Sequence, residues 1–492
     1  MGIVRKQATK NLIIHYIGMI VGYVNTVLLF PHILNPDQFG LTRVLLALGV
    51  LFAQFSQLGS NQILLRFFPG LKEDPKRMKG LVMMCLVIPL VGFLVISGIS
   101  LIWKDALIGY YSSRSSMLAE HLGFLFPLVL FSLLITSLDA YLQSLFKTAL
   151  VTFLNQFLIR VVWMVLIIMY KYAWLDFDTF LYLFVFAYAL MLLIVLIYLL
   201  AISAFPISAH VKFPSKHEFR AMMAYGSFSF ISGMSGLFMS QIDTILVGLM
   251  LGLREAGIYA VGIYIGNLIS IPFQALNRIS WPLFAEKWKL GLIRDIEDNY
   301  SKSSINLTII SGFLFSCIWL NIDFIESFLP AGFEASYWVI LLTGLSKFSN
   351  SAWGTNGLIL VSSARYRVDT FITVGAALTG LLLNLLFIPL WGTSGAAFAM
   401  LVSVFLCDLS RYIAIWKYFR IQPFGKGTAL TLLFWVAMYF LITGIPWPAG
   451  FGIGNVILKV LILGACLLVF LFKSGVSSDL EEGIRKYIPG FK

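Results

Sequence analysis

Long apolar runs joined by short polar segments recur along the whole chain. Fourteen of them reach the roughly 20 residues that a helix needs to cross about 30 Å of hydrocarbon. The predicted spans are 12–31, 39–62, 80–103, 122–146, 149–171, 178–204, 222–249, 256–282, 303–322, 335–363, 367–389, 394–418, 428–446 and 452–473. The short alternating segments of a membrane β-barrel are absent. The pattern therefore predicts an all-α polytopic membrane protein with about 14 transmembrane helices. The first run follows a basic start without a small-residue cleavage site, so it is expected to remain as a span.

Part of the pattern repeats. "FPHILNPDQFGLTRV" (Phe30 to Val44) overlays "VGLMLGLREAGIYAV" (Val247 to Val261) at a shift of 217 residues, which sets Leu34 on Leu251, Gly40 on Gly257, Leu41 on Ile258 and Val44 on Val261. "TFLNQF" at Thr152 and "TFITVG" at Thr370 continue the echo at a shift of 218. Six spans separate the copies, and an even number preserves orientation. The expectation is two six-helix bundles related by a pseudo-two-fold along the membrane normal, with two C-terminal helices added. The corresponding domains are 1–205, 206–420 and 421–492.

Composition agrees: 59% of the residues are hydrophobic, 12% are charged and mean hydropathy is +0.90, against roughly 25% charged in a soluble domain. The formal charge of +12 raises the question of nucleic acid, which its distribution answers. Of the 35 Lys and Arg, 26 fall on the side of the N-terminus, 4 on the other (Lys104, Arg114, Lys171, Arg254) and 5 within spans. Such asymmetry reports membrane orientation, with both termini cytoplasmic, and no nucleic-acid partner is expected. The basic loops are Arg66 to Lys79, Lys212 to Arg220, Lys287 to Lys302 and Arg411 to Lys426. Trp103, Trp174, Trp319, Trp338, Trp391 and Trp447 fall near span ends, where aromatic belts form. Cys85, Cys317, Cys407 and Cys466 lie within spans without metal-ligand spacing and read as small core residues.

Fourteen helices as six plus six plus two, together with "NPDQFG" and "REAGIY" after the first helix of each half and "WPLFAE" (Trp281 to Glu286) closing span 8, resemble the polysaccharide-transporter branch of the multidrug/oligosaccharidyl-lipid/polysaccharide exporter superfamily. The resemblance covers essentially the whole chain. It implies an O-antigen-type oligosaccharide flippase in the bacterial inner membrane, with a lipid-linked oligosaccharide and membrane lipids as partners and polysaccharide polymerase machinery downstream.

The polar residues inside the spans are costly, and their spacing shows whether they share a protected face. Span 2 carries Arg43, Gln54, Gln57 and Asn61; span 8 carries Asn267, Ser270, Gln274, Asn277 and Arg278, and Gln57 falls on Gln274 at the 217 shift. Span 4 has Ser132, Thr136, Asp139 and Gln143. Its counterpart, span 10, has Ser346, Lys347, Ser349, Asn350, Asn356 and Gly357, with Asp139 falling on Asn356. Span 7 adds Ser229, Ser232, Gly236, Ser240 and Asp243; span 5 adds Gln156, Arg160 and Trp163. Single hydroxyls and amides can simply join helices at roughly 0.6 to 2 kcal/mol each. Stripes that recur in both halves point instead to a water-filled cavity.

Arg43, Arg160, Arg278 and Lys347 lie on these faces against two acids, Asp139 and Asp243. On the insertion scale each cation costs roughly 2.5 to 3.5 kcal/mol at a helix centre facing lipid, so these groups require water or partners. The excess of cations predicts a positive lumen suited to phosphate, which guanidinium forks bind bidentately. Arg43 and Arg278 sit near span ends, where they can also act as interfacial anchors. Asp139 and Asp243 are read as charge balance, with ion coupling the alternative. Asp408 and Lys459 lie on helices without a stripe and read as local structure, as does His15.

The leading function is a flippase moving a diphosphate-linked oligosaccharide outward by alternating access; it needs no cofactor, and coupling to Na+ or H+ is left open. A multidrug exporter of the same superfamily would favour lumenal acids and aromatics. A polysaccharide polymerase or ligase would need a catalytic loop, and the outer loop around Lys104 to Glu120 offers only "AEHLG", where His121 beside Glu120 reads as an exposed pair.

Overall fold

The computed structural model describes residues 14, 17–71, 74–102, 116–145, 147–205, 211–333, 337–448 and 452–487. His15, Trp103 and the outer loop from Lys104 to Arg114 lie outside the described residues. Within them all regular structure is helical, and ten helices are long and apolar enough to cross a membrane. The chain divides into two compact units, Met1–Ala260 and Val261–Lys492. The sequence division at 205/206 follows the repeat; this one follows contacts, because the seventh span packs on the second.

In the first unit α1 (Ile17–Ile33) leads to α2 (Pro36–Gln57). The "NPDQ" motif starts α2 as a capping box. Asn35 Oδ1 accepts from the Gln38 N–H at 2.8 Å, and Gln38 Oε1 accepts from the Asn35 N–H at 3.2 Å, an arrangement whose loss costs about 1 kcal/mol. The second span then breaks. Leu58 and Gly59 are both left-handed, at φ 48° and 77°, before α3 (Ser60–Phe67) completes it. A side chain at position 59 would meet the Gly226 carbonyl, so glycine serves both the turn and the close approach. α4 (Pro75–Ile102), α5 (Ser116–Ser144), α6 (Ala149–Lys171) and α7 (Phe177–Ala201) follow. α8 (Lys216–Met250) opens on a second capping box, Ser215 with Glu218. Val87, Val91, Leu94 and Val95 stand exposed at helical spacing on α4, the apolar stripe of a lipid-facing helix.

α9 (Leu253–Asn267) runs from the first unit into the second and continues, through a 3₁₀ turn at Leu268–Ser270, into α10 (Ile271–Leu290). The second unit adds α11 (Ile293–Trp319), α12 (Tyr337–Ala352) and α13 (Asn356–Ser362). The last two form the tenth span, broken at Gly354, whose φ is 65°. α14 (Tyr366–Phe419) contains 54 residues but is two helices, because Gly392 (φ 59°, ψ −136°) reverses the chain. Phe387 and Phe398 stack edge to face at 5.1 Å across the turn, and Gly380 lies against Ser403. The eleventh and twelfth predicted spans are the arms of this hairpin.

The two added spans, α15 (Lys426–Thr443) and α16 (Ile453–Ser474), are followed by α17 (Ser478–Tyr487). α15 docks on α11 through Trp435, whose indole fills the space beside Gly312 and donates to the Thr308 carbonyl at 3.2 Å. Lys459 donates to the Leu320 carbonyl at 2.7 Å and lies over Trp447. The reading of this lysine as mere local structure is thereby refined, since it ties α16 to the end of α11. Cys85 and Cys407 are buried, Cys317 and Cys466 half-buried, and all four are free thiols.

The repeat is visible inside each unit. The second span packs on the fourth where Gly49 meets Leu128, and the eighth packs on the tenth where Gly266 meets Thr343; positions 49 and 266 are 217 apart.

Candidate functional site

Polar residues of the first unit gather in two places. At the break in the second span, the Gln57 amide donates to the Thr136 hydroxyl, and Asn61 Nδ2 donates to Gln57 Oε1 at 3.0 Å and to the Thr136 carbonyl at 3.4 Å. Thr136 passes its own proton to the Ser132 carbonyl at 2.9 Å. One turn further, Gln143 Nε2 donates to Asp139 Oδ2 at 2.9 Å. Thr136 and Gln143 are exposed, Asn61 and Asp139 half-buried. The stripes read on spans 2 and 4 are thus one seam, in which a broken helix meets a helix bearing hydroxyl and carboxylate.

The second gathering is cationic. Arg160 projects from α6 towards α1, where its guanidinium donates to the Gly18 carbonyl and, at 3.3 Å, to Gln156 Oε1. In return Asn25 Nδ2 donates to the Arg160 carbonyl at 2.6 Å. Both facing segments, Val24–Leu29 and Leu154–Leu158, are π-helical, a local widening that frees backbone groups and recurs at functional sites. Arg160 forms no ion pair with a carboxylate among the described residues. Arg43 lies over the rings of Phe39 and Phe30 at 4.6 and 5.3 Å. Tyr188, near both guanidiniums, stands beside Trp163. Trp163 in turn stacks on Phe184 at 4.4 Å and donates to its carbonyl at 3.1 Å. Arg43, Arg160 and Tyr188 therefore share one electrostatic neighbourhood that the sequence stripes only half disclosed, because nothing marked Tyr188.

Asp243 is buried on α8 and interacts with Tyr259, a fully buried phenol on α9. In the second unit Gln274 Nε2 donates to Ser270 Oγ at 2.9 Å and Ser270 to the Asn267 carbonyl at 2.8 Å. The stripe of span 8 is hydrogen-bonded within its own helix, with Arg278 exposed beyond it. Lys347 is half-buried on α12.

Asp408 is the residue the sequence undervalued. It is fully buried and accepts from Asn350 Nδ2 at 2.7 Å and Asn356 Nδ2 at 3.1 Å, joining both sides of the break in span 10. Arg411, one turn on, lies 3.8 Å from Asp408 and donates from Nε to Asp369 at 2.8 Å and from Nη2 to Thr373 at 3.2 Å. Arg411 does not belong to a basic cytoplasmic loop, as its place near the end of span 12 suggested. The hairpin at Gly392 lays it against Asp369, so that one half-buried guanidinium joins two buried acids. The partners lie 42 residues apart, beyond the reach of any helical periodicity. A second correction concerns His121, which is paired not with Glu120 but with Asp178 at 3.0 Å; its ring is 12% exposed and stacks on Phe124.

Among the described residues no cluster of three metal-ligating side chains forms. The arrangement is one of hydrogen-bonded seams and held cations within long apolar helices.

Comparison with known proteins gives this architecture a context. The sequence model of the family described as "Polysaccharide biosynthesis protein" matches residues 4–288. No curated protein sequence matches significantly. The fold is similar to that of the lipid II flippase MurJ in an inward closed conformation, with a TM-score of 0.65 and 14% identity over 94% of this chain and 99% of that one. An inward-facing MATE-family multidrug resistance transporter of the MOP superfamily gives a TM-score of 0.66 at 10% identity, over 84% and 98% of the two chains. A MOP-superfamily transporter from Pyrococcus furiosus, described as having a binding pocket of reverse polarity, gives 0.55 at 13% identity over 85% and 96%. These likenesses show that the chain shares the polytopic helical fold of these proteins.

Proposed function

The chain belongs to the polysaccharide biosynthesis protein family, and from that premise we propose that it is a flippase moving a diphosphate-linked oligosaccharide from the cytoplasmic to the outer leaflet of the bacterial inner membrane. The observation that carries this reading is the environment of Arg160. Its donors are met by a backbone carbonyl and an amide oxygen, which fix the guanidinium without neutralising it. A fixed positive charge in the middle of a span attracts an anion, and a fork suits a diphosphate better than a point charge would. Arg43 adds to the same field. Lys347 and Arg278 supply cations in the second unit, and Asp139 and Asp243 balance part of the charge.

The hydroxyl and amide seam of Gln57, Asn61 and Thr136 suits the sugar, while the lipid tail stays in the bilayer. Alternating access between the two six-helix bundles then exposes the site to each leaflet in turn. A multidrug exporter shares the fold neighbours, but cationic cargo would be repelled by Arg160. The test is to delete the protein and measure lipid-linked precursors in the inner leaflet together with surface polysaccharide. Precursor accumulation with loss of surface polymer is expected; altered polymer length alone would favour a polymerase.

A further inference from the structure

We infer that the surface built from Asp74–Lys79 and Val211–Arg220 is a docking site for the headgroups of anionic phospholipids in the leaflet it faces. Both segments lead into odd-numbered spans, the third and the seventh, and so lie on one side of the membrane. They are joined main chain to main chain: the Lys212 N–H donates to the Lys76 carbonyl at 3.0 Å, and Gly80 leaves room for the Lys212 carbonyl.

The join is stiffened at its centre. Glu218 caps α8 through Ser215 and also pairs with Arg77. Asp74 is used in the same way, accepting from the Lys76 and Arg77 N–H groups at 3.1 and 3.2 Å. The two described acids of the region are thus consumed in holding the scaffold. Lys76, Lys79, Lys212, Lys216 and Arg220 form no ion pair among the described residues, and all except half-buried Lys79 are exposed.

Charge alone would suit any anion, but two aromatic residues narrow the partner. Phe213 and Phe219, interleaved with these cations in "VKFPSKHEFR", are 54% and 44% exposed. Exposed rings beside lysines at the point where helices enter a bilayer belong at the depth of the headgroups, rings inward and ammonium groups towards phosphate. Clustered basic residues at this position attract anionic lipid. A soluble polyanion would leave both rings in water, so the partner is a phospholipid such as phosphatidylglycerol. This site is separate from the Arg160 neighbourhood and does not depend on the transported solute.

The test is native mass spectrometry of the purified full chain titrated with phosphatidylglycerol or phosphatidylcholine. The wild type is expected to retain phosphatidylglycerol selectively, with binding that weakens as salt rises. The combined Lys76→Gln, Lys212→Gln, Lys216→Gln, Arg220→Gln variant should lose about tenfold of that selectivity. Replacing the three lysines by arginine should retain it, which separates lost charge from lost folding. Equal retention of both lipids by the wild type, or undiminished selectivity in the glutamine variant, overturns the inference. So does a patch that binds farnesyl diphosphate in preference to phosphatidylglycerol and loses it in the glutamine variant, which would assign the surface to the transported class of lipid.

Discussion

Gly40 and Gly257 lie against each other reciprocally. The position a side chain would take on either is 3.1 Å from the backbone nitrogen of the other. Around them the same exchange holds, Gly40 facing the Leu253 carbonyl and Gly257 the Pro36 carbonyl, which is the contact of a local two-fold between the starts of α2 and α9. The sequence echo at a shift of 217 thus ends in a physical contact between its two copies. Both obstructing groups are backbone and cannot swing aside. Gly40→Ala and Gly257→Ala are each expected to destabilise this packing by about 1–3 kcal/mol. The double variant should cost less than the sum, because the two share one contact. Thermal unfolding in detergent measures this, and fully additive losses would argue against the shared contact.

The buried network around Asp408 gives a second prediction. Arg411→Ala strands two carboxylates, Asp369 and Asp408, in the interior, a change that costs about 3–5 kcal/mol. Arg411→Lys should recover part of this, because one ammonium cannot reproduce the fork. Asp408→Asn should be milder than Arg411→Ala, since Asp369 still pairs with the guanidinium. Unfolding midpoints of the three variants test the order; Arg411→Ala at wild-type stability would show that the network contributes nothing.

The two networks mark how far the sequence could be read. The predicted spans overlap described helices, ten of which are long and apolar enough to cross a membrane, because apolar length is a local property. The two arms of α14 match the separately predicted spans 367–389 and 394–418. The seam of Gln57, Asn61 and Thr136 was legible as two stripes, since helical spacing reveals a face. The joining of Asp369 to Asp408 and Arg411 was not, because they sit on opposite arms of α14 and only the Gly392 hairpin brings them together. The partner of His121 was missed for the same reason: Asp178 lies 57 residues away, whereas Glu120 is adjacent.

Orientation yields a third prediction, resting on the 26 to 4 division of basic residues. A periplasmic reporter inserted at Gly332 should be active and one at Ser215 silent, with tags at both termini cytoplasmic. The opposite pattern would invert the assigned topology, and would place the phospholipid surface of Lys212 and Lys216 on the outer leaflet.

Asp243 supplies a fourth. Its interaction with Tyr259 can be made by an amide as well as a carboxylate, so Asp243→Asn is expected to retain most transport if the acid only balances charge. Initial rates with imposed Na+ and proton gradients decide the point. Abolished transport at normal membrane abundance would instead make Asp243 the carrier of a coupling ion.

The most direct measurement is the rate at which the purified protein, reconstituted in vesicles, moves a polyprenyl-diphosphate oligosaccharide across the bilayer, compared with its Arg160→Ala, Lys347→Ala variant at equal insertion. Loss of two fixed cations from the path should lower the rate by at least about tenfold, as expected for about 1.4 kcal/mol of lost attraction. Arg160→Lys alone should keep an intermediate rate because the charge survives without the fork. An unchanged rate in the double variant would contradict the cationic path while leaving the fold intact.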